Sequence, residues 1–355
     1  MPHIIVYGPG DLGERIIYQL MPHLQNGDCI TVAGRNGEVL QDIVNMAQMQ
    51  SRALGAQILV RAQPGDLYDH HFWTQWLIHN PADIAIFTAS ELTWWKLPSL
   101  TPTHESLLAQ TGFGVWLPFQ ATLLLRFARI LGELPHPPWL VIGPYPDATA
   151  PLVKAQGLTR MVGFGNVDEL ALMAGPGDIR LVAHHSVESA LFHGRDLPPY
   201  RLYARVADGH WQTHTLLRPF PWPRGTRSHV WTAASAVRTV RALLSDTPCL
   251  IHVPGALGLP GGYPALLSRH GVDVALPDVL TLTEAIAINQ SAATADGIQG
   301  IEADGRVRLT AQCQAAIRGI FGVDVETWGP TVEDWDRITR HLRARLEEWS
   351  QNGKH

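Results

Sequence analysis

Residues 4–20 constrain the fold more than any other stretch. Ile4-Ile5-Val6-Tyr7 runs into Gly8-Pro9-Gly10-Asp11-Leu12-Gly13, and Ile16, Ile17 and Leu20 follow at helical spacing. A short apolar run ending in glycine reads as a buried strand, and apolar residues three and four apart read as one face of a helix. Gly8, Gly10 and Gly13 have the spacing Gly-x-Gly-x-x-Gly. The first glycine turns the chain, the second lets the backbone approach a pyrophosphate, and the third lets helix and strand pack closely. The helix that opens there offers unpaired N–H groups to an anion. The strand, turn and helix together predict a dinucleotide site built on Gly8, Gly10, Asp11, Leu12 and Gly13.

The next apolar run, Cys29–Ala33, reads as a second strand ending in Gly34-Arg35-Asn36. The residue at this strand end meets the adenosine ribose, where a carboxylate selects NAD and an arginine accommodates the 2′-phosphate of NADP. Arg35 is the only charged residue there before Glu38, so the expected cofactor is NADP(H) rather than NAD(H). The Ala33-Gly34-Arg35 ending resembles NADP-binding members of the saccharopine dehydrogenase-like group. A helix from about 38 to 54, a strand over 57–61, a helix around Phe72–Leu77 and a strand over 83–90 follow. Such alternation specifies a parallel sheet with right-handed crossovers. Thr88, Ala89 and Ser90 close the last of these strands, where ligands of parallel sheets bind, and are expected to border the nicotinamide. Residues 91–111 break the rhythm and read as a long loop. Its adjacent Trp94 and Trp95 are either a substrate wall or pins that hold the loop to the core.

Composition narrows the class. A net charge of −5 gives no electrostatic reason to expect nucleic acid or an anionic membrane as partner. The three cysteines lie far apart, which fits a reducing compartment and argues against a disulfide framework or a structural zinc site. No metal-ligand set is expected. The apolar stretch 115–125 is too short to span a bilayer, and the chain enters a strand at once, without a signal-peptide pattern. The expectation is a soluble cytoplasmic protein, and its 355 residues suggest two domains.

From residue 3 to about 300 the order of motifs resembles the lactate/malate dehydrogenase superfamily. Its counterparts here are the glycine turn, Thr88-Ala89-Ser90, the Trp94-Trp95 loop, Gly143-Pro144-Tyr145-Pro146-Asp147, and Gly163-Phe164-Gly165-Asn166-Val167-Asp168. Helix 230–244, strand 250–254, the loop 258–263, Gly271-Val272 and a helix over 283–291 continue it. The resemblance implies an α/β fold: an N-terminal Rossmann-type doubly wound parallel sheet (1–158), an α+β substrate and dimerisation domain (159–325), and a C-terminal helix (326–355). It also implies a homo-oligomer, expected as a homodimer. Its catalytic pair is an Asp orienting a His that exchanges a proton as hydride moves. Asp168 matches the aspartate, and His185, beside His184 at a strand end, matches the histidine.

The departures shape the substrate. The family holds a substrate carboxylate with arginines, but the loop offers only Lys96 and the second position is Ala171. Without bidentate clamps a larger, less charged carbonyl or imine compound fits better, with Trp94, Trp95, Tyr145 and Tyr263 as candidate contacts. A Tyr145/Lys154 acid of the short-chain reductase kind lacks the Tyr-x-x-x-Lys spacing. The expected function is an NADP(H)-dependent oxidoreductase reducing C=O or C=N on an apolar small molecule. Three alternatives stay open: a saccharopine- or opine-type reductase joining a keto and an amino partner, a non-catalytic NADP-binding sensor or scaffold, and a redox-neutral enzyme that oxidises and re-reduces one substrate on a bound nicotinamide. The stripe Trp335, Ile338, Leu342, Leu346, Trp349 on the C-terminal helix is expected to pack on the protein's own core or a second subunit.

Overall fold

A computed structural model describes residues 1–93, 112–216 and 225–352. The N-terminal half alternates strands and helices: β1 (His3–Tyr7), α1 (Asp11–Leu20), β2 (Cys29–Gly34), α2 (Gly37–Ala53), β3 (Leu59–Pro64), α3 (His70–His79), β4 (Ile84–Phe87), α4 (Leu117–Gly132), β5 (Trp139–Ile142), α5 (Pro146–Ala155) and β6 (Met161–Gly163). The six strands form one parallel sheet in the order β3-β2-β1-β4-β5-β6, with Val6 opposite Val32 and Ile86. The order reverses at β1, so a crevice opens between the carboxyl ends of β1 and β4.

Apolar residues on both faces of each strand make this sheet a buried one. Ile5, Tyr7, Ala85, Phe87, Leu140 and Ile142 join the core on one face, while Ile4, Val6, Ile84, Ile86, Trp139 and Val141 join that on the other. Side chains alternate across a strand, so continuous apolar sequence feeds two layers at once. On the first face Tyr7 stacks on Phe87 with ring centroids 5.6 Å apart, and Phe127 of α4 completes the cluster.

The remaining elements are α6 (Asn166–Met173), β7 (Ile179–Val182), α7 (His185–His193), β8 (Arg201–Arg205), β9 (Trp211–His214), α8 (His229–Leu244), β10 (Cys249–Pro254), β11 (Gly262–Ser268), β12 (Gly271–Val274), α9 (Leu282–Ala293), β13 (Ile298–Ile301), β14 (Val307–Leu309), α10 (Ala311–Phe321), β15 (Thr327–Trp328) and α11 (Val332–Asn352). They build three antiparallel three-stranded sheets, β7-β8-β9, β10-β11-β12 and β13-β14-β15. The parallel sheet takes its sixth strand from beyond residue 158, and its two cores continue into these elements.

The C-terminal helix belongs to the protein's own core. Trp335, Leu342 and Leu346 are buried in the layer that holds α4, and Ile338 packs against it. Thr122 and Thr339 hydroxyls lie 2.7 Å apart across this contact, and Arg126 pairs with Asp336. The side chain of Trp349 lies outside the described residues, as do Trp94, Trp95 and Lys96. Among the described residues no helix is long and apolar enough to cross a membrane.

Candidate active site

The glycine turn is built as its spacing predicts. Gly8 has φ +79°, and a Cβ there would meet Ala89 Cβ at 2.4 Å. At Gly13 a Cβ would lie 2.7 Å from Thr88 Oγ1, whose hydroxyl donates to the Gly8 carbonyl at 2.8 Å. These two glycines let α1 and β4 close on the turn. At Gly10, the N-cap of α1, a Cβ would meet nothing within 4 Å, so the backbone faces open space. A pyrophosphate needs that combination of tight turn, open backbone and helix N-terminus. Asp11 bonds both Arg15 and, at 2.7 Å, the Nδ1 of His229. The start of α8 is thereby fastened beside the turn.

Arg35 lies at the end of β2, exposed on the rim of the same cleft, and Asn36 caps α2 by accepting from the Glu38 and Val39 amides. The cleft has a volume of about 770 Å³. Leu12, Thr88, Ala89 and Ser90 line its middle; Tyr145, Asn166, Glu169, His185 and Glu188 line its far end.

His185 opens α7 directly after β7. Its amide donates to Asp147 Oδ1 at 2.9 Å, and Asp147 Oδ2 accepts from Asn166 Nδ2 at 2.7 Å. Asp147, almost wholly buried at the start of α5, therefore ties three elements together. The imidazole Nδ1 stands 2.8 Å from Asp296 Oδ2, which also accepts from the Tyr145 hydroxyl at 2.9 Å. Asp296 comes from the 3-10 turn that follows α9. Ser186 fastens that region by donating to the Ala292 carbonyl at 2.9 Å. Tyr145 reaches Asp296 from a left-handed backbone conformation, φ +46°. Phe113 closes the cluster, its ring centroid 4.6 Å from that of His185.

Burial alone would lower the His185 pKa. The Asp296 carboxylate and its hydrogen bond, with Glu188 and Asp147 behind them, outweigh burial and raise it to about 9. Burial likewise works to raise Asp296, but His185, then His184 and Tyr145, hold it below the ordinary carboxylate value. The pair is an imidazolium–carboxylate at neutral pH, with Nδ1 engaged and Nε2 left to carry a proton. Burial and the Asp296 charge push Tyr145 well above the usual phenol range, so it stays a neutral donor.

Three sequence expectations are corrected by this geometry. Asp168 does not orient His185. In α6, Asn166 and Glu169 are three residues apart and share the face on the cleft; Asp168 falls on another face. It is fully buried there, with Arg238 Nη2 3.7 Å from its carboxylate. Burial, opposed by Arg238, raises it to about 6. His184 is the N-cap of α7, its Nδ1 accepting from the Ser186 amide at 3.1 Å, and burial lowers its pKa so that it stays neutral. Tyr263 is fully buried in β11 and donates to the Pro260 carbonyl at 2.6 Å, away from the cleft. Sequence reasoning gives no site role to Asp296, Asp147, Glu169 or Glu188. Glu188 is within its reach, three residues after His185; Asp296 is 111 residues away and leaves no local signal.

No protein-family model and no curated protein matches this sequence. Solved structures do match. The malate dehydrogenase of Archaeoglobus fulgidus, in complex with NADH, aligns with a TM-score of 0.51 at 13% identity, over 82% of this chain and 97% of its own. Cryptosporidium parvum malate dehydrogenase aligns with a TM-score of 0.50 at 14% identity, over 83% of this chain and 96% of its own. Eimeria maxima lactate dehydrogenase, with NADH and oxamate, gives 0.50 at 11% identity, over 82% and 91%. At such identities the likeness is one of fold, and the fold is the one the motif order implied.

Proposed function

We propose that this chain is an NADP(H)-dependent oxidoreductase that reduces a C=O or C=N bond of an apolar small molecule, with His185 as proton donor. One observation carries the reading: a single cleft runs from the glycine turn and Arg35 to His185. A dinucleotide laid along it has its pyrophosphate on Gly10 and the α1 N-terminus, and its adenosine end beside Arg35. Thr88, Ala89 and Ser90 border the nicotinamide, which supplies hydride when bound. NADH in two of the structural neighbours supports a nicotinamide dinucleotide. The preference for the phosphorylated form rests on Arg35 alone.

His185 donates from Nε2 to the substrate heteroatom as the carbon is reduced. Asp296 holds the ring, Asp147 holds the His185 backbone amide, and Tyr145 donates to Asp296. A positioned acid of this kind contributes about 10²–10⁴ in rate. Leu123, Phe113 and Phe192 give the substrate end its apolar surface.

Fluorescence titration with NADPH and NADH, followed by turnover with a panel of carbonyl and imine compounds, tests the reading. Wild type should bind NADPH more tightly, Arg35→Asp should reverse the preference, and His185→Ala should keep NADPH affinity while losing about 10²-fold or more in turnover. Tighter NADH binding by wild type, or full turnover by His185→Ala, contradicts it.

A further inference from the structure

The cleft wall beside the glycine turn is a segment that buries no side chain of its own. The 3-10 turn Gly225–Ser228 and the first turn of α8 supply Thr226, Ser228, His229 and Thr232 to the cleft lining. Every residue from 225 to 232 is exposed or half-buried. α8 buries its first side chain at Ala233, which with Ala236, Val237 and Val240 joins the layer that holds Ile16 and Ile17 of α1. Ahead of that point α1 reaches the segment with two side chains. Asp11 bonds His229, and Gln19 donates to the Val230 carbonyl at 3.1 Å.

Asp11 stands where a carboxylate has a cost. It is the first residue of α1, and an acid there competes with a pyrophosphate for the same positive end of the helix. Both of its oxygens are engaged. Oδ1 accepts from Arg15 Nη2 at 2.9 Å; Oδ2 accepts from Arg15 Nε at 3.0 Å and lies 2.7 Å from His229 Nδ1. The Arg15 bond holds Asp11 below the ordinary carboxylate value. A carboxylate only accepts, so His229 Nδ1 is the donor. The Arg15 pair is an exposed one within a single helix and contributes little by itself. The His229 bond spans 218 residues of sequence and joins the turn to the cleft wall.

We propose that Asp11 and His229 form a clasp that places the 225–232 segment against the bound pyrophosphate, so that Asp11 strengthens the binding of an anionic cofactor despite its own charge. Asp11 is then a positioning residue that acts through His229. The proposal rests on the dinucleotide reading of this cleft and deepens it.

Charge and position predict opposite signs. By Coulomb's law alone, Asp11→Ala should tighten NADPH binding, because a negative charge leaves the pyrophosphate site and Arg15 is released beside it. With the clasp, fluorescence titration of the full chain should show Asp11→Ala and His229→Ala each weakening NADPH about tenfold, the scale of one charge-assisted hydrogen bond. The double variant should be no weaker than either single one, since both remove the same bond. His229→Gln, whose side-chain amide can donate to Asp11, should recover most of the loss. Adenosine 2′,5′-bisphosphate, which lacks the pyrophosphate and the nicotinamide, should bind wild type and all variants alike. Amide hydrogen exchange over 225–232 should quicken in both alanine variants. NADPH binding that is unchanged or tighter in Asp11→Ala overturns the proposal, as do additive losses in the double variant or an equal loss for the bisphosphate. If Asp11→Ala does not fold, the His229 variants decide: a loss in His229→Ala recovered in His229→Gln supports the clasp, and no loss overturns it. Wild type that binds NADPH no better than Asp11→Ala contradicts the clasp alone; wild type that binds neither NADPH nor NADH contradicts the dinucleotide reading itself.

Discussion

A histidine buried among carboxylates is pulled two ways, and at His185 the carboxylates win. Its pKa of about 9 against an ordinary 6.5 is also a stability term. A raised pKa stabilises the fold fully below 6.5, and the contribution is lost as pH rises through 9; over that window it amounts to about 3 kcal/mol. Wild type should therefore lose Tm between pH 6.5 and 9, and Asp296→Asn should flatten that loss. The same variant should move the alkaline limb of the reductive rate acidward by about one unit or more, because burial then acts with less opposition. A limb unmoved in Asp296→Asn would remove Asp296 from its role as the positioning residue. At this scale the sequence is half legible. His185 can be picked out by its place at a strand end, whereas its carboxylate partner cannot. Asp168 looks suitable by spacing, yet one helical step turns it to Arg238, and the partner that His185 does meet arrives from a turn near the C-terminus.

Elements are easier to read than contacts between them. The parallel strands are continuous apolar runs because both faces of the sheet are buried, and that pattern survives without any tertiary information. Ends are less legible: the fourth strand, expected over 83–90, is a strand only over Ile84–Phe87, with the Thr88 amide just beyond it still donating to the Tyr7 carbonyl at 2.9 Å. The amphipathic stripe of α11 shows that the helix must bury one face, and the structure supplies α4 as the surface. Trp335 is fully buried there. Trp335→Ala should cost about 3–5 kcal/mol by emptying that space, measured by urea denaturation. It should leave NADPH affinity of the folded protein unchanged, because α11 packs on α4 and none of its described side chains lines the cleft. A loss below about 1 kcal/mol would mean that α11 is not part of the cooperative core.

Across the whole molecule, one cleft unites residues that the chain keeps far apart. The turn after β1, the end of β4, the Gly143–Asp147 segment, the α6 and α7 N-termini and the Asp296 turn all meet at the carboxyl edge of the parallel sheet. In a parallel sheet every strand ends at the same edge, so every strand-to-helix turn leaves from it, which is why motif order alone foretells that the glycine turn, Thr88–Ser90 and the Gly143–Asp147 segment lie together. The substrate end depends on how the antiparallel sheets and α9 pack back against it, and no local pattern encodes that. A co-crystal structure with NADPH measures the arrangement most directly. The 2′-phosphate should lie beside Arg35, the pyrophosphate over Gly10, and the nicotinamide C4 should face the His185 end between Ser90 and Tyr145. A dinucleotide bound with its nicotinamide away from His185, or bound outside this cleft, would contradict it.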